Sequence, residues 1–84
     1  MRYFDMKEIA FTAAALRQWT KLAPPIRERI KAKLETFAST GTGDIKRLKG
    51  QDGCRLRVGD WRVIFIDGAT VTVVAVGHRR EIYD

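Results

Sequence analysis

The chain has 84 residues, of which 45% are hydrophobic and 31% charged, so we expect one globular domain spanning residues 1–84. Sixteen Lys and Arg residues against ten Asp and Glu residues give a formal net charge of +6, which favours an anionic partner such as nucleic acid, an anionic membrane or an acidic protein. A domain this small buries a limited share of its surface, which argues against a deep cofactor cavity.

The first predicted elements are a short strand and a helix. In the segment from Phe4 to Phe11, Ile9 and Phe11 alternate with Ala10 just before Thr12, and this pattern predicts a short first strand. A helix is predicted over Ala13–Lys21, with Thr12 as its N-cap and a run of alanines as strong helix formers. The residues at helical spacing that should face the core are Leu16, Trp19 and Leu22.

The second predicted helix begins at Pro24-Pro25, since proline is well tolerated in a first helical turn. Gly41 and Gly43 are expected to end it. An apolar stripe at spacings of 4, 4 and 3 is formed by Ile26, Ile30, Leu34 and Phe37. Two helices joined by a short turn predict an αα-hairpin.

The second half of the chain has the pattern of a sheet. Residues 41–53 are predicted to form a loop. Three strands are predicted after it, over Cys54–Val58, Trp61–Ile66 and Val71–Val76. Gly59-Asp60 predicts a two-residue type II′ turn, and Asp67-Gly68 predicts a type I′ turn. The expected fold is therefore α+β: an antiparallel meander with the first strand at its edge and the αα-hairpin on its apolar face.

The Gly59-Asp60 turn predicts a register that places two arginines opposite each other. In a two-residue hairpin Arg57 pairs with Arg62, and side-chain alternation puts Arg55 on the same face. The opposite face, predicted to be core, carries Cys54, Leu56, Val58, Trp61, Val63 and Phe65. Like charges directly opposite each other are destabilising, so an anion bound between the arginines would explain the pattern. A phosphodiester suits the planar fork of arginine.

The alternative interpretation is an ordinary solvated sheet face. In that case the arginines would splay apart, or a carboxylate of Asp52, Asp60 or Asp67 would neutralise them. Cys54 is most simply a small buried residue.

Further basic residues lie outside the hairpin. His78-Arg79-Arg80 directly follows the last predicted strand, with Tyr83 soon after, and the predicted loop carries Lys46, Arg47 and Lys49. A single cysteine and a single histidine provide no metal cluster, so neither a metal nor a cofactor is expected. The lack of a disulfide framework and of an apolar leader predicts a cytoplasmic protein with no membrane span.

Three stretches resemble a known family. They are Arg47–Gly50 (RLKG), Cys54–Phe65 (CRLRVGDWRVIF) and Gly77–Tyr83 (GHRREIY). They are similar to the RelE toxins of bacterial toxin–antitoxin pairs, within the RelE/ParE superfamily. The resemblance implies a twisted antiparallel sheet covered by an αα-hairpin, cleavage of mRNA in the ribosomal A site, and a cognate acidic antitoxin. ParE toxins of the same superfamily inhibit DNA gyrase instead, and a non-catalytic basic nucleic-acid-binding module is a further alternative.

The resemblance also implies site residues. Arg55 and Arg57 match two basic positions, Arg62 matches a phosphate-binding arginine, and Tyr83 matches a functional C-terminal tyrosine. The C-terminal catalytic arginine matches either Arg79 or Arg80. Those six residues are the predicted catalytic set for attack of a 2′-hydroxyl on the adjacent phosphate. Further RNA contacts are predicted for Lys46, Arg47, Lys49 and His78.

Overall fold

The computed structural model describes residues 6–49 and 53–82. Its elements in chain order are β1 (Ile9–Phe11), α1 (Ala13–Thr20), α2 (Pro24–Thr40), β2 (Ile45–Arg47), β3 (Gly53–Val58), β4 (Trp61–Asp67) and β5 (Val71–His78). Phe4, Gly50, Asp52 and Tyr83 lie outside the described ranges. No helix within those ranges is long and apolar enough to cross a lipid bilayer.

The five strands form one sheet in the order β1-β5-β4-β3-β2. Strands β3, β4 and β5 pair antiparallel, which confirms the predicted three-stranded meander, and the unpredicted strand β2 pairs antiparallel with β3. The first strand lies at the sheet edge as expected, but it runs parallel to β5, with Ile9 opposite Val71. A parallel pair requires a crossover connection, and here the αα-hairpin lies within it. The predicted α+β fold is confirmed, with a mixed sheet.

Helix α1 begins where its cap predicts. The Thr12 hydroxyl accepts a hydrogen bond from the Ala15 N–H over 3.2 Å. The predicted core face of this helix was wrong at Leu16, which is 49% exposed, while Ala15 is fully buried. The Gln18 side chain accepts a 2.8 Å bond from the Val76 N–H of β5, so this helix lies close against the strand. The small Ala15 fits that approach, and Leu16 consequently faces solvent.

Helix α2 presents its predicted stripe to the sheet. Ile30, Leu34 and Phe37 are buried, and the Phe37 ring packs on Phe65 of β4 with centroids 5.0 Å apart. Gly41 ends the helix in the left-handed conformation, with φ of 77°. That conformation is the usual reason for glycine at this position.

The region predicted as a loop contains the edge strand β2. Ile45 pairs with Leu56, and Arg47 pairs with Cys54. Three residues give too short a pattern for periodicity to identify a strand, and β2 exists through its pairing with β3. Its basic residues suit an edge, where charge discourages pairing with other chains.

The predicted type I′ turn at Asp67-Gly68 was wrong. Asp67 is the last residue of β4, and residues 68–70 connect it to β5. The Gly68 N–H donates to the Thr70 carbonyl over 3.2 Å. A type I′ turn needs two residues with positive φ, whereas neither Asp67 nor Gly68 has one. A shift of register between Ile64 and Phe65 accompanies the longer connection.

Candidate nucleic-acid interface

The β3–β4 hairpin has the predicted register. Arg57 is opposite Arg62, and Val58 is opposite Trp61. Gly59 has φ of 60°, which agrees with the positive φ that a type II′ turn places at its first central residue. On the helix-covered face the buried residues are Cys54, Leu56, Val58, Val63 and Phe65. The arginines therefore lie on the open face, as the alternation predicted.

Arg57 is held by a carboxylate that the sequence did not indicate. Its Nε donates to the Asp44 carboxylate over 2.6 Å, and its backbone N–H donates to the Asp44 carbonyl over 3.0 Å. Asp44 directly precedes β2, and β2 pairs with β3, so the unpredicted strand brings this aspartate alongside. Both side chains are more than half exposed. Asp60 and Asp67, which the structure describes, pair with other cations and not with Arg57.

Arg62 points in another direction. Its Nη1 donates to the backbone carbonyls of Gly59 and Trp61, at 2.9 Å each. The guanidinium thus folds back over the turn, and the two facing arginines do not meet head on. Within the described chain, Arg62 has no carboxylate at ion-pair distance. It keeps a full positive charge and several N–H donors available.

The segment after β5 brings a third arginine to the same turn. The Arg79 N–H donates to the Asp60 carbonyl over 2.8 Å, and its Nε lies 3.7 Å from the Asp60 carboxylate. The Arg80 N–H donates to His78 Nδ1 over 3.2 Å, and the Arg80 side chain is exposed outside this cluster. The sequence left open which of Arg79 and Arg80 is the catalytic arginine, and only Arg79 lies in the arginine cluster at the turn.

These groups line a groove of about 820 Å³ between α2 and the β3–β4 turn. We call it the turn groove. Its charged lining consists of five cations, Arg29, Lys33, Arg57, Arg62 and Arg79, and two carboxylates, Asp44 and Asp60. The two cations from α2 were not among the residues predicted from the sequence. Their spacing of four residues, along the edge of the apolar stripe, was the available signal.

The other predicted contacts divide between two faces of the sheet. Lys46 pairs with Arg55 in the β2–β3 register, and directly paired residues share a face, so both lie with Arg57 and Arg62. Lys49 is exposed in the connection after β2. Arg47 and His78 are on the helix-covered face, because their partners there are Cys54 and Trp61. The structure therefore does not bring these two together with the arginine cluster.

Arg47 and His78 have structural contacts on that second face. Arg47 lies 3.4 Å from the Asp67 carboxylate, which also accepts a 2.7 Å hydrogen bond from Lys7 Nζ. The Lys7 hydrogen bond, reinforced by Arg47 and opposed by burial, lowers the pKa of Asp67 below its ordinary value. The His78 ring packs edge-on against Trp61 with centroids 5.4 Å apart.

The turn groove is suited to binding an anion. Guanidinium groups bind phosphate through paired N–H donors, and arginine remains charged in proteins at any physiological pH. Within the described ranges, no cluster of three His, Cys, Asp or Glu side chains is arranged to hold a metal ion.

The chain matches one known protein family and several known proteins. Residues 9–83 match the family described as the ParE toxin of type II toxin-antitoxin system, parDE. The mRNA interferase toxin RelE of Escherichia coli K12 is 32% identical over 91 residues, covering 99% of this chain and 92% of that protein.

Two solved complexes are also similar. The RelB-RelE antitoxin-toxin complex from Methanococcus jannaschii matches at 30% identity with a TM-score of 0.72, over 89% of this chain and 95% of that one. The intact Escherichia coli RelBE toxin-antitoxin complex matches at 27% identity with a TM-score of 0.73, over 86% and 95% of the two chains.

Proposed function

This chain belongs to the RelE/ParE family of toxins of type II toxin–antitoxin systems, and on that basis we propose that it is a ribosome-dependent endoribonuclease that cleaves mRNA. The structural observation that carries the proposal is the convergence of Arg57, Arg62 and Arg79 on the β3–β4 turn. Three arginines at one groove suit the binding of a phosphodiester and the stabilisation of the charge that develops on it.

The proposed reaction is attack of an RNA 2′-hydroxyl on its own 3′-phosphate. The 2′-oxygen forms a bond to phosphorus, the bond from phosphorus to the 5′-oxygen breaks, and the proton lost by the 2′-hydroxyl is balanced by one gained at the 5′-oxygen. The products are a 2′,3′-cyclic phosphate and a 5′-hydroxyl. Arg57 and Arg62 hold the phosphate, while Arg79 neutralises the leaving oxygen. The scheme uses no metal ion and no cofactor.

Dependence on the ribosome follows from the chemistry of arginine. An arginine stays protonated, so it stabilises negative charge well but removes a proton poorly. Such a site gains most from a partner that fixes the attacking oxygen in line with the leaving oxygen. The ribosomal A site, which holds a codon in a defined conformation, is the proposed partner. Arg55 adds positive charge on the same face, and Tyr83 is proposed to orient the nucleotide.

A second proposed partner is an acidic antitoxin protein. The solved relatives from Methanococcus jannaschii and Escherichia coli are antitoxin–toxin complexes. A net charge of +6 on this chain favours fast association with an acidic protein. An antitoxin that covers the turn groove would block access of RNA to it.

The test of the reaction is product chemistry on a translated mRNA. Cleavage by the native chain should leave a 2′,3′-cyclic phosphate, and a single 2′-deoxy nucleotide at the mapped cleavage position should abolish the cut there. A cut that persists at the 2′-deoxy position would rule out 2′-hydroxyl attack. The same mRNA with the 2′-deoxy nucleotide three codons away is the matched control.

Inhibition of DNA gyrase is the second candidate, since the matched family is described as ParE toxin. A gyrase inhibitor has no need of three arginines around one groove, and for that reason we favour the nuclease. A supercoiling assay separates the two: the nuclease leaves gyrase activity unchanged, and a gyrase inhibitor leaves mRNA intact.

A further inference from the structure

Two cations of helix α2 line the turn groove without a carboxylate of their own. Arg29 and Lys33 are exposed, and within the described chain neither is part of an ion pair. They are four residues apart, which places them as neighbours on one side of the helix. Between them and toward the C-terminus, the same groove wall is built from the small residues Ala32 and Thr36. The α2 side of the turn groove therefore has small side chains that leave room for a ligand, and its positive charge comes from Arg29 and Lys33.

The position of Arg29 relates this wall to the arginine cluster. A Cβ added to Gly59 would lie 2.7 Å from Arg29 Nη2, so the guanidinium lies directly over the turn backbone. Arg62 Nη1 donates to the carbonyl of the same Gly59 over 2.9 Å. Two guanidinium groups from different elements thus approach one glycine, and neither has a carboxylate partner in the described chain. The two carboxylates of the groove, Asp44 and Asp60, pair with Arg57 and Arg79 instead, so Arg29 and Arg62 remain available to a bound anion.

Lys31 of the same helix provides a comparison with Arg29 and Lys33, because it is exposed outside the turn groove. Lys31 lies between Arg29 and Lys33 in the sequence but lines a different groove, together with Glu35. Lys31 and Glu35 are opposite charges four residues apart, the spacing at which helical ion pairs form. No ion pair joins Lys31 to Glu35 in the described chain, but Glu35 places a carboxylate on the same side of the helix as Lys31, whereas the turn-groove side of α2 carries Arg29 and Lys33 and no acidic residue.

We propose that Arg29 and Lys33 form a second phosphate-binding subsite for RNA, next to the subsite at Arg57, Arg62 and Arg79. One backbone phosphate lies in the arginine cluster, and another phosphate lies against α2. Arg29 and Lys33 are the charged groups that α2 contributes to the groove, and both suit contact with the phosphates of the RNA backbone. The inference rests on the proposed function, because it names further residues that bind the same substrate class.

The test measures RNA affinity as a function of salt concentration. The probe is a fluorescent, non-cleavable 2′-O-methyl RNA nonamer, and the variant is Arg29→Gln/Lys33→Gln. The matched control is Lys21→Gln/Lys31→Gln, which removes the same charge from exposed positions outside the groove. Losing one phosphate contact should reduce the slope of log K against log salt by about 0.7 and weaken binding several-fold, with the control slope unchanged. Equal slopes in the native chain and both variants, together with unchanged affinity for ribosomes programmed with mRNA, would overturn the proposal.

A second arm identifies the source of the phosphate. If it belongs to the mRNA strand, the Arg29→Gln/Lys33→Gln variant loses affinity for the nonamer as well as for ribosomes programmed with mRNA. If it belongs to ribosomal RNA, the variant loses affinity for ribosomes alone, and the reduced slope then appears in the salt dependence of ribosome binding. A variant that binds both probes like the control contradicts the subsite. The proposed function fails separately, through intact mRNA in the presence of a native chain that binds RNA.

Discussion

Arg57 and Asp44 are joined twice, by a 2.6 Å hydrogen bond from the guanidinium Nε to the carboxylate and by a 3.0 Å bond between their backbones. The backbone bond fixes the approach of Asp44 to β3, while the side-chain bond is exposed to solvent. A phosphate that binds Arg57 has to share or displace this carboxylate. Asp44 therefore opposes the binding of anions to the turn groove. Its negative charge also explains how Arg57 and Arg62 can face each other when no anion is bound.

Replacing Asp44 should strengthen phosphate binding. We expect Asp44→Asn to bind the RNA nonamer about 3- to 10-fold more tightly at low salt, because one negative charge leaves the groove and Arg57 loses its competitor. Glu28→Gln, which removes the same charge from an exposed position of α2 outside the groove, is the control. Affinity that falls or stays level in Asp44→Asn, relative to Glu28→Gln, would show that Arg57 does not contact the phosphate.

Arg79 and Arg80 should differ in their effect on cleavage. Arg79 lines the groove and contacts Asp60, whereas Arg80 does not line it. We expect Arg79→Ala to reduce the cleavage rate by about 100-fold or more, the usual loss when a donor to a developing charge is removed. Arg80→Ala should change the rate less than about threefold by the same argument. Single-turnover cleavage in a translation reaction measures both, and the reverse order would exchange their assignments.

Gly59→Ala should destabilise the hairpin for two reasons that can be separated. A positive φ costs a non-glycine residue about 1–2 kcal/mol, and the added Cβ would press on the end of the Arg29 side chain. The Arg29 contact is cheap to relieve, since a long side chain can move. Urea denaturation should therefore show a similar loss in Gly59→Ala and in Arg29→Ala/Gly59→Ala.

Gly68→Ala is the matched control for that measurement. The Cβ added at Gly68 meets only the Thr70 carbonyl oxygen, at an ordinary 3.8 Å. The free energy of unfolding of Gly68→Ala should stay within about 1 kcal/mol of the native value. Full recovery of stability in the double variant would assign the cost to the Arg29 contact instead of to φ.

The ion pairs of Asp67 should give a pH-dependent contribution to stability. Because the hydrogen bond from Lys7 lowers the pKa of Asp67 in the folded state, the contribution is present above the ordinary aspartate pKa of 3.8 and is lost as the pH falls through the lower folded value. Lys7 is 40% exposed, so solvent screening limits the expected loss in Asp67→Asn to about 0.5–1 kcal/mol at pH 7. The free energies of unfolding of the two proteins should converge in acid, and a constant difference from pH 7 to pH 2 would contradict this origin.

Local patterns predicted much of the fold correctly. The helix cap at Thr12, the α2 stripe and the Gly59-Asp60 register depend on residues close in the chain, where spacing and turn chemistry suffice. The errors arise where distant contacts decide. Leu16 is exposed because of how α1 approaches β5, and β2 forms only by pairing with β3.

The candidate site shows the same division. Alternation along β3 and β4 placed Arg55, Arg57 and Arg62 on one face, and the structure agrees. Asp44 and Arg29 were missed because they reach the groove through β2 and through the packing of α2, neither of which has a local signature. Arg47 and His78 were grouped with the cluster by their charge and position in the sequence, but their strand partners place them on the other face.

Ribosome-dependent cleavage at a phosphate held by Arg62 can be tested by mapping mRNA 5′ ends by primer extension in a cell-free translation reaction. The native chain, Arg62→Ala and the control Lys31→Gln are compared with and without ribosomes, after circular dichroism has shown that all three are folded. We predict new 5′ ends inside translated codons with the native chain and Lys31→Gln, and none with Arg62→Ala or without ribosomes. Intact mRNA with the native chain, or cleavage of free RNA at an equal rate, would contradict the account.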